Sequence, residues 1–356
     1  MDIIDYKKLI NQVYRPSNKN RNHTNSTLND YVGHDNIRYF SYGRYALLAG
    51  LKCIGVKKGD KILLPSFICR DLLSSINVLE AEAIFYDVDS KLQPLKSLKY
   101  LPESKAIIGV NYFGFPQDLT PFNNYCNRTG SVLIEDNAHG LFSRDKNGRF
   151  LGVRGDIGIF SLRKTLPLLN GAALVVNNKI FRSFLKPQIE FKTNISLYFK
   201  GKEMIRALFP LIRIHGIKFL KSIVQHLRKI RTGYEISQPD AEIEMKLPPC
   251  PAPTFDLLSR LKSLNVSEEI QRRRNLYLWL YDEMTNLDVN PVFKRLPDYC
   301  VPYGFPFYVS KEKSIEIERK LFSLGLESFP WPDLPHGISH NAPKHYKLLR
   351  CVRFLW

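Results

Sequence analysis

The sequence predicts an α/β protein: a mostly parallel central sheet sandwiched by helices, followed by a smaller C-terminal α+β domain. Three observations carry this. Six short apolar, β-rich runs fall between residues 61 and 176. Helical patterns separate several of them, as expected where parallel strands are joined by crossover helices. The chain has 356 residues, long for one core, so a large domain with a smaller one is the natural division.

Taken in order, residues 1–36 are polar and Asn-rich and read as an N-terminal arm. A large domain is expected over 37–240. Its strand signals are Lys61–Leu64, Ala83–Val88, Ala106–Val110, Ser131–Asp136, Gly158–Leu162 and Ala172–Val176. Uninterrupted runs of this kind suit strands buried on both faces. The last two lie close in sequence and can pair antiparallel. Gly43-Arg44-Tyr45-Ala46 opens the helical run that continues to Leu51. Residues 187–235 form a basic helical insert, broken near Pro210. Five prolines within 239–253 mark a linker. The small domain, 241–356, is expected to hold a helical stretch over about 254–285, two strand-like pieces, a helix near 312–325 and a Pro-rich tail.

Composition narrows the class. Hydrophobic residues make up 44% and charged residues 24%, ordinary for a globular protein. No apolar run approaches the ~18–20 residues that span a bilayer. Met1–Asp5 is acidic and lacks the apolar core of a secretory signal. The six cysteines are scattered without a Cys-x-x-Cys pair or Cys/His cluster, which points to reduced thiols, a cytoplasmic location and no metal site. Lys+Arg exceed Asp+Glu, 52 against 34, a net charge of +18. Such an excess favours anionic partners: nucleic acid, an anionic membrane surface or phosphorylated substrates. No nucleic-acid module accompanies it, so nucleic acid is not expected. Within 200–231, Ile217, Leu220, Val224 and Leu227 repeat at helical spacing and basic residues take the other faces. That pattern suits peripheral contact with an anionic membrane. The alternative, a packed helix with its basic face in solvent, is slightly favoured.

In open α/β sheets, ligands bind beyond the carboxyl ends of the strands. Asp136 ends one strand run, and Ser161 and Lys164 follow another. Gly43 opens a helix, where free N–H groups and the helix dipole favour an anion. Each has a plain reading: a surface lysine, a strand-end carboxylate, a satisfied hydroxyl, a turn glycine. Glu135 reads as structural. His336, His340 and His345 read as solvent-exposed rather than metal-ligating.

The order and spacing of these residues resemble the DegT-type nucleotide-sugar aminotransferases, a branch of the pyridoxal 5'-phosphate (PLP) fold type I enzymes. Tyr42–Leu47 resembles the family's phosphate turn, and Gly55–Phe67 its G-x-x-x-G-D stretch. Tyr86-Asp87-Val88-Asp89, Ile134–His139 and Gly155–Leu162 match three further motifs. Lys164 then falls at the Schiff-base position, ahead of Asn170-Gly171. The Ser-Leu-Arg-Lys spelling is similar to a branch with a shortened loop before the lysine. The resemblance covers residues 37–180 well and 254–356 loosely.

What it implies is specific. Lys164 would form the imine and move the proton. Asp136 would pair with the pyridinium nitrogen. His139 would contact the phenolic oxygen or the ring face. Ser161 and the Gly43-Arg44-Tyr45 turn would hold the phosphate. The ring-stacking position counts to Cys69, with Phe67 as a substitute. The family's mid-chain Asn, which reaches the partner subunit's phosphate, has no counterpart in Pro251–Arg260, and Arg44 could supply charge instead. The family's C-terminal L-P-x-H-Q turn also has no counterpart. The implied protein is a homodimeric aminotransferase acting on an amino acid, glutamate first, and a nucleotide-linked keto-sugar, in surface polysaccharide or glycolipid biosynthesis. Dehydration, transamination of a lipid-linked substrate, and a non-catalytic membrane or assembly partner stay open as alternatives.

Overall fold

A computed structural model describes Leu28, residues 36–192 except Pro167 and Leu169, and residues 242–354 except Asn286, Asp288 and Gly325. The arm before residue 36, apart from Leu28, and residues 193–241, with most of the basic insert, lie outside the described residues.

Seven strands build the first sheet: β1 (Ile37–Phe40), β2 (Lys61–Pro65), β3 (Glu82–Tyr86), β4 (Ala106–Val110), β5 (Val132–Asp136), β6 (Ile157–Phe160) and β7 (Ala172–Val176). Their spatial order is β1-β7-β6-β5-β4-β2-β3. The run from β3 to β6 is parallel; β6–β7 and β7–β1 are antiparallel. The antiparallel pairing of the last two expected strands is therefore present. Strand β1 was not expected: its four residues are too short to show a period. Strands β4 to β7 are buried along their whole length, which is why they read as unbroken apolar runs rather than alternating ones.

Helix α1 (Gly43–Cys53) follows β1 and lays Ala46, Leu47, Gly50 and Leu51 on the sheet at helical spacing. Gly50 sets the depth of that contact: a β-carbon there would stand 3.3 Å from both Ile157 and Leu174 side chains, so the helix packs close to β6 and β7. Shorter helices α2 (Ser74–Asn77), α3 (Thr120–Thr129) and α4 (Lys179–Arg182) join later strands. Gly158, inside β6, is needed for space, since a β-carbon there would stand 1.9 Å from the carbonyl oxygen of Gly152.

The expected helical stretch over 254–285 is two helices, α5 (Asp256–Ser263) and α6 (Val266–Thr285). Asn265 divides them, its side-chain oxygen accepting from the Glu268 N–H at 3.2 Å, a typical helix start. A second, four-stranded sheet has the order β10-β11-β9-β8 and is antiparallel: β8 (Asn290–Pro291), β9 (Gly304–Tyr308), β10 (Ser328–Pro330) and β11 (Leu349–Arg353). That is two strands more than expected; β8 and β10 are two and three residues long. Helix α7 (Lys311–Ser323) packs beside it where a helix was expected. Leu257 and Leu261 of α5 pack with Phe160 and Leu162 beside the first sheet. Leu276, Tyr277 and Leu280 of α6 join a core shared with Phe305 and Phe307 of β9.

Candidate active site

The chain leaves β2 for β3 at the sheet edge, then returns to the other side of β2 as β4. Such a reversal opens a crevice at the carboxyl ends of the strands. The cleft found there encloses ≈ 670 Å³ counted out to open solvent. Its lining joins Gly43 and Arg44 of α1, Cys69 and Asp71 after β2, Asp136 of β5, His139, and Ser161, Arg163 and Lys164 after β6. Trp331, from the segment after β10, closes it from the second sheet's side.

Lys164 ends a 3-10 turn, Leu162–Lys164, that follows β6 directly. Its Nζ lies 3.1 Å from Nε2 of His139. The opposite nitrogen of that ring, Nδ1, accepts from the backbone N–H of Phe113 at 3.3 Å. A backbone N–H can only donate, so the hydrogen-bond network assigns the proton of a neutral imidazole to Nε2. The ring is stacked on Tyr303 (centroids 4.3 Å apart, planes at 9°) and on Phe113 (5.6 Å, 23°). Burial among these rings, and secondarily the charge of Lys164, hold His139 well below the usual imidazole range.

Asp136 is 7% exposed. Its Oδ1 accepts from the Ala138 N–H at 2.9 Å. Among the described residues no Lys, Arg or His lies within ion-pair distance of it. Burial raises its pKa, against the opposing pull of Lys164 and the Ala138 N–H. Glu135 points to the other face of the strand, as the two-residue period requires. Its carboxylate is fully buried and accepts from Arg154 at 2.6 Å and Asn111 at 2.8 Å, which makes it structural, as read from the sequence.

Ser161 is 6% exposed and lines the cleft, yet its hydroxyl has no partner among the described residues. A β-carbon on Gly43 would stand 3.9 Å from Cβ of Ser161, so the start of α1 abuts it. Tyr42, which precedes α1, offers no side-chain cap, and the N–H groups of Gly43 and Arg44 take no acceptor among the described residues. Arg44 lines the cleft and pairs with Asp71 at 3.3 Å.

Two of the residues assigned to the cofactor from the sequence stand elsewhere. The Phe67 ring is fully buried against Tyr112, Trp331 and Tyr346, two residues past the end of β2. The cleft receives its neighbours Ile68 and Cys69 instead. Tyr45 does not line the cleft; its hydroxyl donates to the Pro248 carbonyl. The Cys69 thiol is pushed up to about 12 by burial, despite Lys164 nearby, so it stays protonated at neutral pH.

Sequence reasoning missed Arg163, Asp71, Phe113, Tyr303 and Trp331. Only Arg163 carried a local signal, its position beside Lys164. Of the three C-terminal histidines, His336 and His340 are exposed, whereas His345 is half-buried and its Nε2 contacts the Val88 carbonyl at 3.0 Å.

The residues present fit PLP. A buried carboxylate without a cation suits a protonated ring nitrogen. A hydroxyl that lines the cleft without a partner among the described residues, beside helix-start N–H groups likewise without acceptors there, suits a phosphate. A lysine at the cleft wall suits an aldehyde.

Residues 9–186 match the DegT/DnrJ/EryC1/StrS aminotransferase family. GDP-perosamine synthase of Escherichia coli O157:H7 is 28% identical over 160 residues, 42% of this chain and 44% of that protein. The chain thus aligns with less than half of that curated relative. Among solved structures, a sugar aminotransferase from Micromonospora echinospora aligns with a TM-score of 0.63 at 14% identity, covering 98% of this chain and 92% of the other. An aminotransferase of pseudoaminic acid biosynthesis from Helicobacter pylori gives 0.62 at 16%, covering 98% and 90%. A GDP-4-keto-6-deoxy-D-mannose-3-dehydratase from E. coli, solved with hydrated PLP, gives 0.59 at 16%, covering 98% and 92%. At these identities the structural likeness is one of fold. The family match, over half of the chain, goes further: the chain belongs to the DegT/DnrJ/EryC1/StrS aminotransferase family.

Proposed function

We propose that this chain is a PLP-dependent aminotransferase that moves an amino group from an amino acid, with glutamate as the expected donor, to a nucleotide-linked keto-sugar. Its place would be in surface polysaccharide or glycolipid biosynthesis. One observation carries the reading: Lys164, the cation-free carboxylate of Asp136 and the unpartnered Ser161 hydroxyl beside the α1 start converge in a single cleft. The nucleotide-sugar part is supported by the likeness to GDP-perosamine synthase.

When bound, PLP supplies an electron-withdrawing ring that accepts the electron pair left when a neighbouring carbon loses a proton. The chain does the rest. Lys164 is the only lysine among the described residues lining the cleft, and its Nζ would hold the aldehyde carbon between turnovers. The same Nζ, when not holding the cofactor, would act as the base that takes a proton from one carbon and returns it to the next. His139, kept neutral, would steady Nζ without adding charge. Asp136 would keep the ring nitrogen protonated, and its burial strengthens that pairing. Ser161, Gly43 and Arg44 would hold the phosphate. Trp331 walls the site, and Tyr303 and Phe113 hold the His139 ring between them. A homodimer and a cytoplasmic location belong to the same proposal; for segment 200–231 a packed helix with its basic face in solvent stands slightly ahead of peripheral contact with anionic membrane. No helix among the described residues is long and apolar enough to cross a membrane.

The test is spectroscopic and chemical. The purified protein with added PLP should turn yellow, and borohydride should fix the cofactor to the peptide that holds Lys164. Lys164→Ala should abolish the fixation. Glutamate should convert the bound cofactor to its pyridoxamine form and release 2-oxoglutarate in equal amount. A colourless protein that takes up no PLP sinks the reading; uptake without the glutamate reaction removes the transaminase part.

A further inference from the structure

We infer that Arg163 grips the phosphate ester of the cofactor, so that this chain completes its own phosphate site with a guanidinium. The inference rests on the reading of the cleft as a PLP site and adds to it an anion-binding residue.

Arg163 lines the cleft together with Gly43, Arg44 and Ser161. It sits in the 3-10 turn between Leu162 and Lys164. Successive side chains of such a turn diverge by roughly 120°, so the guanidinium and Nζ reach the cleft from different directions. The Arg163 guanidinium carbon lies 5.1 Å from the centroid of the Tyr42 ring, and that of Arg44 lies 5.7 Å from the same centroid. Tyr42 immediately precedes α1, so both cations are held at the start of that helix.

The two arginines are not equivalent. Arg44 already has an anion, Asp71 at 3.3 Å. Arg163 has none: among the described residues no carboxylate lies within ion-pair distance of it. A half-buried guanidinium in a cleft loses part of its hydration, and the face of the Tyr42 ring offsets only part of that until an anion arrives. In the same corner Ser161 is 6% exposed and unpartnered, and the α1 start offers N–H groups without acceptors. Donors of three kinds line that part of the cleft, and Asp71 in the same lining is engaged by Arg44. A phosphate ester, with three terminal oxygens and close to two negative charges, uses such a set fully. A guanidinium's fork suits two of those oxygens at once. The same donors could receive the carboxylate of an amino-acid substrate, so the experiment separates the two.

The full-length wild type, Arg163→Gln and Arg163→Lys are titrated with PLP and with pyridoxal, which has the same ring and aldehyde but no phosphate. Uptake is read from the absorbance of the lysine-bound form, without turnover. Arg163→Gln should weaken PLP by about 10- to 100-fold, the loss of a charged hydrogen bond. Pyridoxal uptake should be unchanged, which also shows that the variant is folded. Arg163→Lys should recover part of the PLP affinity. Inorganic phosphate should compete with PLP on the wild type and more weakly on Arg163→Gln. Equal weakening of PLP and pyridoxal would overturn the inference in favour of a structural role. Unchanged PLP affinity with a raised glutamate requirement would overturn it in favour of a substrate carboxylate. A wild type that takes up neither aldehyde removes the cofactor reading itself, and the inference with it.

Discussion

Asp136 stands where burial disfavours its charged form. Burial makes its carboxylate harder to ionise in the fold than in the unfolded chain. The unfolded chain gives up this proton first, so stability declines as pH rises from the ordinary aspartate range through the raised value in the fold. Asp136→Asn keeps the shape and an acceptor for the Ala138 N–H. The cofactor-free variant should therefore be more stable at neutral pH than the wild type, by on the order of 1 kcal/mol. The gap should close as pH falls below the ordinary aspartate value, where both side chains are neutral. The same variant should bind PLP more weakly, having lost the charge opposite the ring nitrogen. Thermal melts with and without PLP at two pH values check both halves; a variant less stable than wild type at neutral pH, cofactor-free, contradicts the account. Lys164, Asp136, Ser161 and Gly43 stood out in the sequence because each follows or ends a strand run or opens a helix, whereas His139 entered only through the family resemblance. Phe67 and Tyr45 stand in equally suggestive stretches, but nothing local says which way a ring faces.

At the scale of elements, α6 ties the two sheets together around a buried charge cluster. Glu269 accepts from Arg272 at 2.7 Å and from Arg273 at 2.6 Å. Arg273 is 1% exposed and donates onward to the carbonyls of Thr165, Pro302 and Tyr303. One side chain thus holds the residue after Lys164 and the residue stacked on His139. Burial alone would raise the Glu269 carboxyl, but Arg273 and Arg272 outweigh it and hold it low. Its contribution to stability is present above the ordinary glutamate range and is lost as pH falls through the depressed value. Glu269→Gln should cost ~3–5 kcal/mol, because two guanidiniums are left buried without their anion, and should flatten the acid limb of the stability profile. Chemical denaturation across pH measures both; a loss below ~1 kcal/mol would mean that the carbonyls alone satisfy the arginines. The basic run Arg272-Arg273-Arg274 was visible in the sequence only as a helical stretch. Its carboxylate partner Glu269 stands at helical spacing, but the carbonyls that receive Arg273 lie 29 or more residues away, so no spacing rule could show that two of the three arginines are interior.

Over the whole molecule, the net charge of +18 remains larger than the cleft alone requires. If segment 200–231 meets anionic membrane, the intact protein should sediment with anionic vesicles at low salt. It should release as salt shortens the Debye length to ~10 Å and below. Deleting 200–231 should abolish sedimentation while leaving PLP uptake intact. An intact protein that ignores such vesicles at low salt ends the membrane idea. The fold class and the parallel run β2 to β6 were readable because strands buried on both faces must be apolar throughout, and their crossover segments keep a helical period. The edge strand β1 and the short strands β8 and β10 were not, since two to four residues carry no period. By itself the sequence determined which residues could do chemistry, and in what order they meet the carboxyl ends of the strands. Only the tertiary structure decided which of them face one cleft, that Phe113, Tyr303 and Trp331 enclose His139, and that Arg163 stands there without an anion. Those facts depend on contacts between segments from about 26 to nearly 200 residues apart, and on side-chain direction, which packing sets and local pattern does not encode.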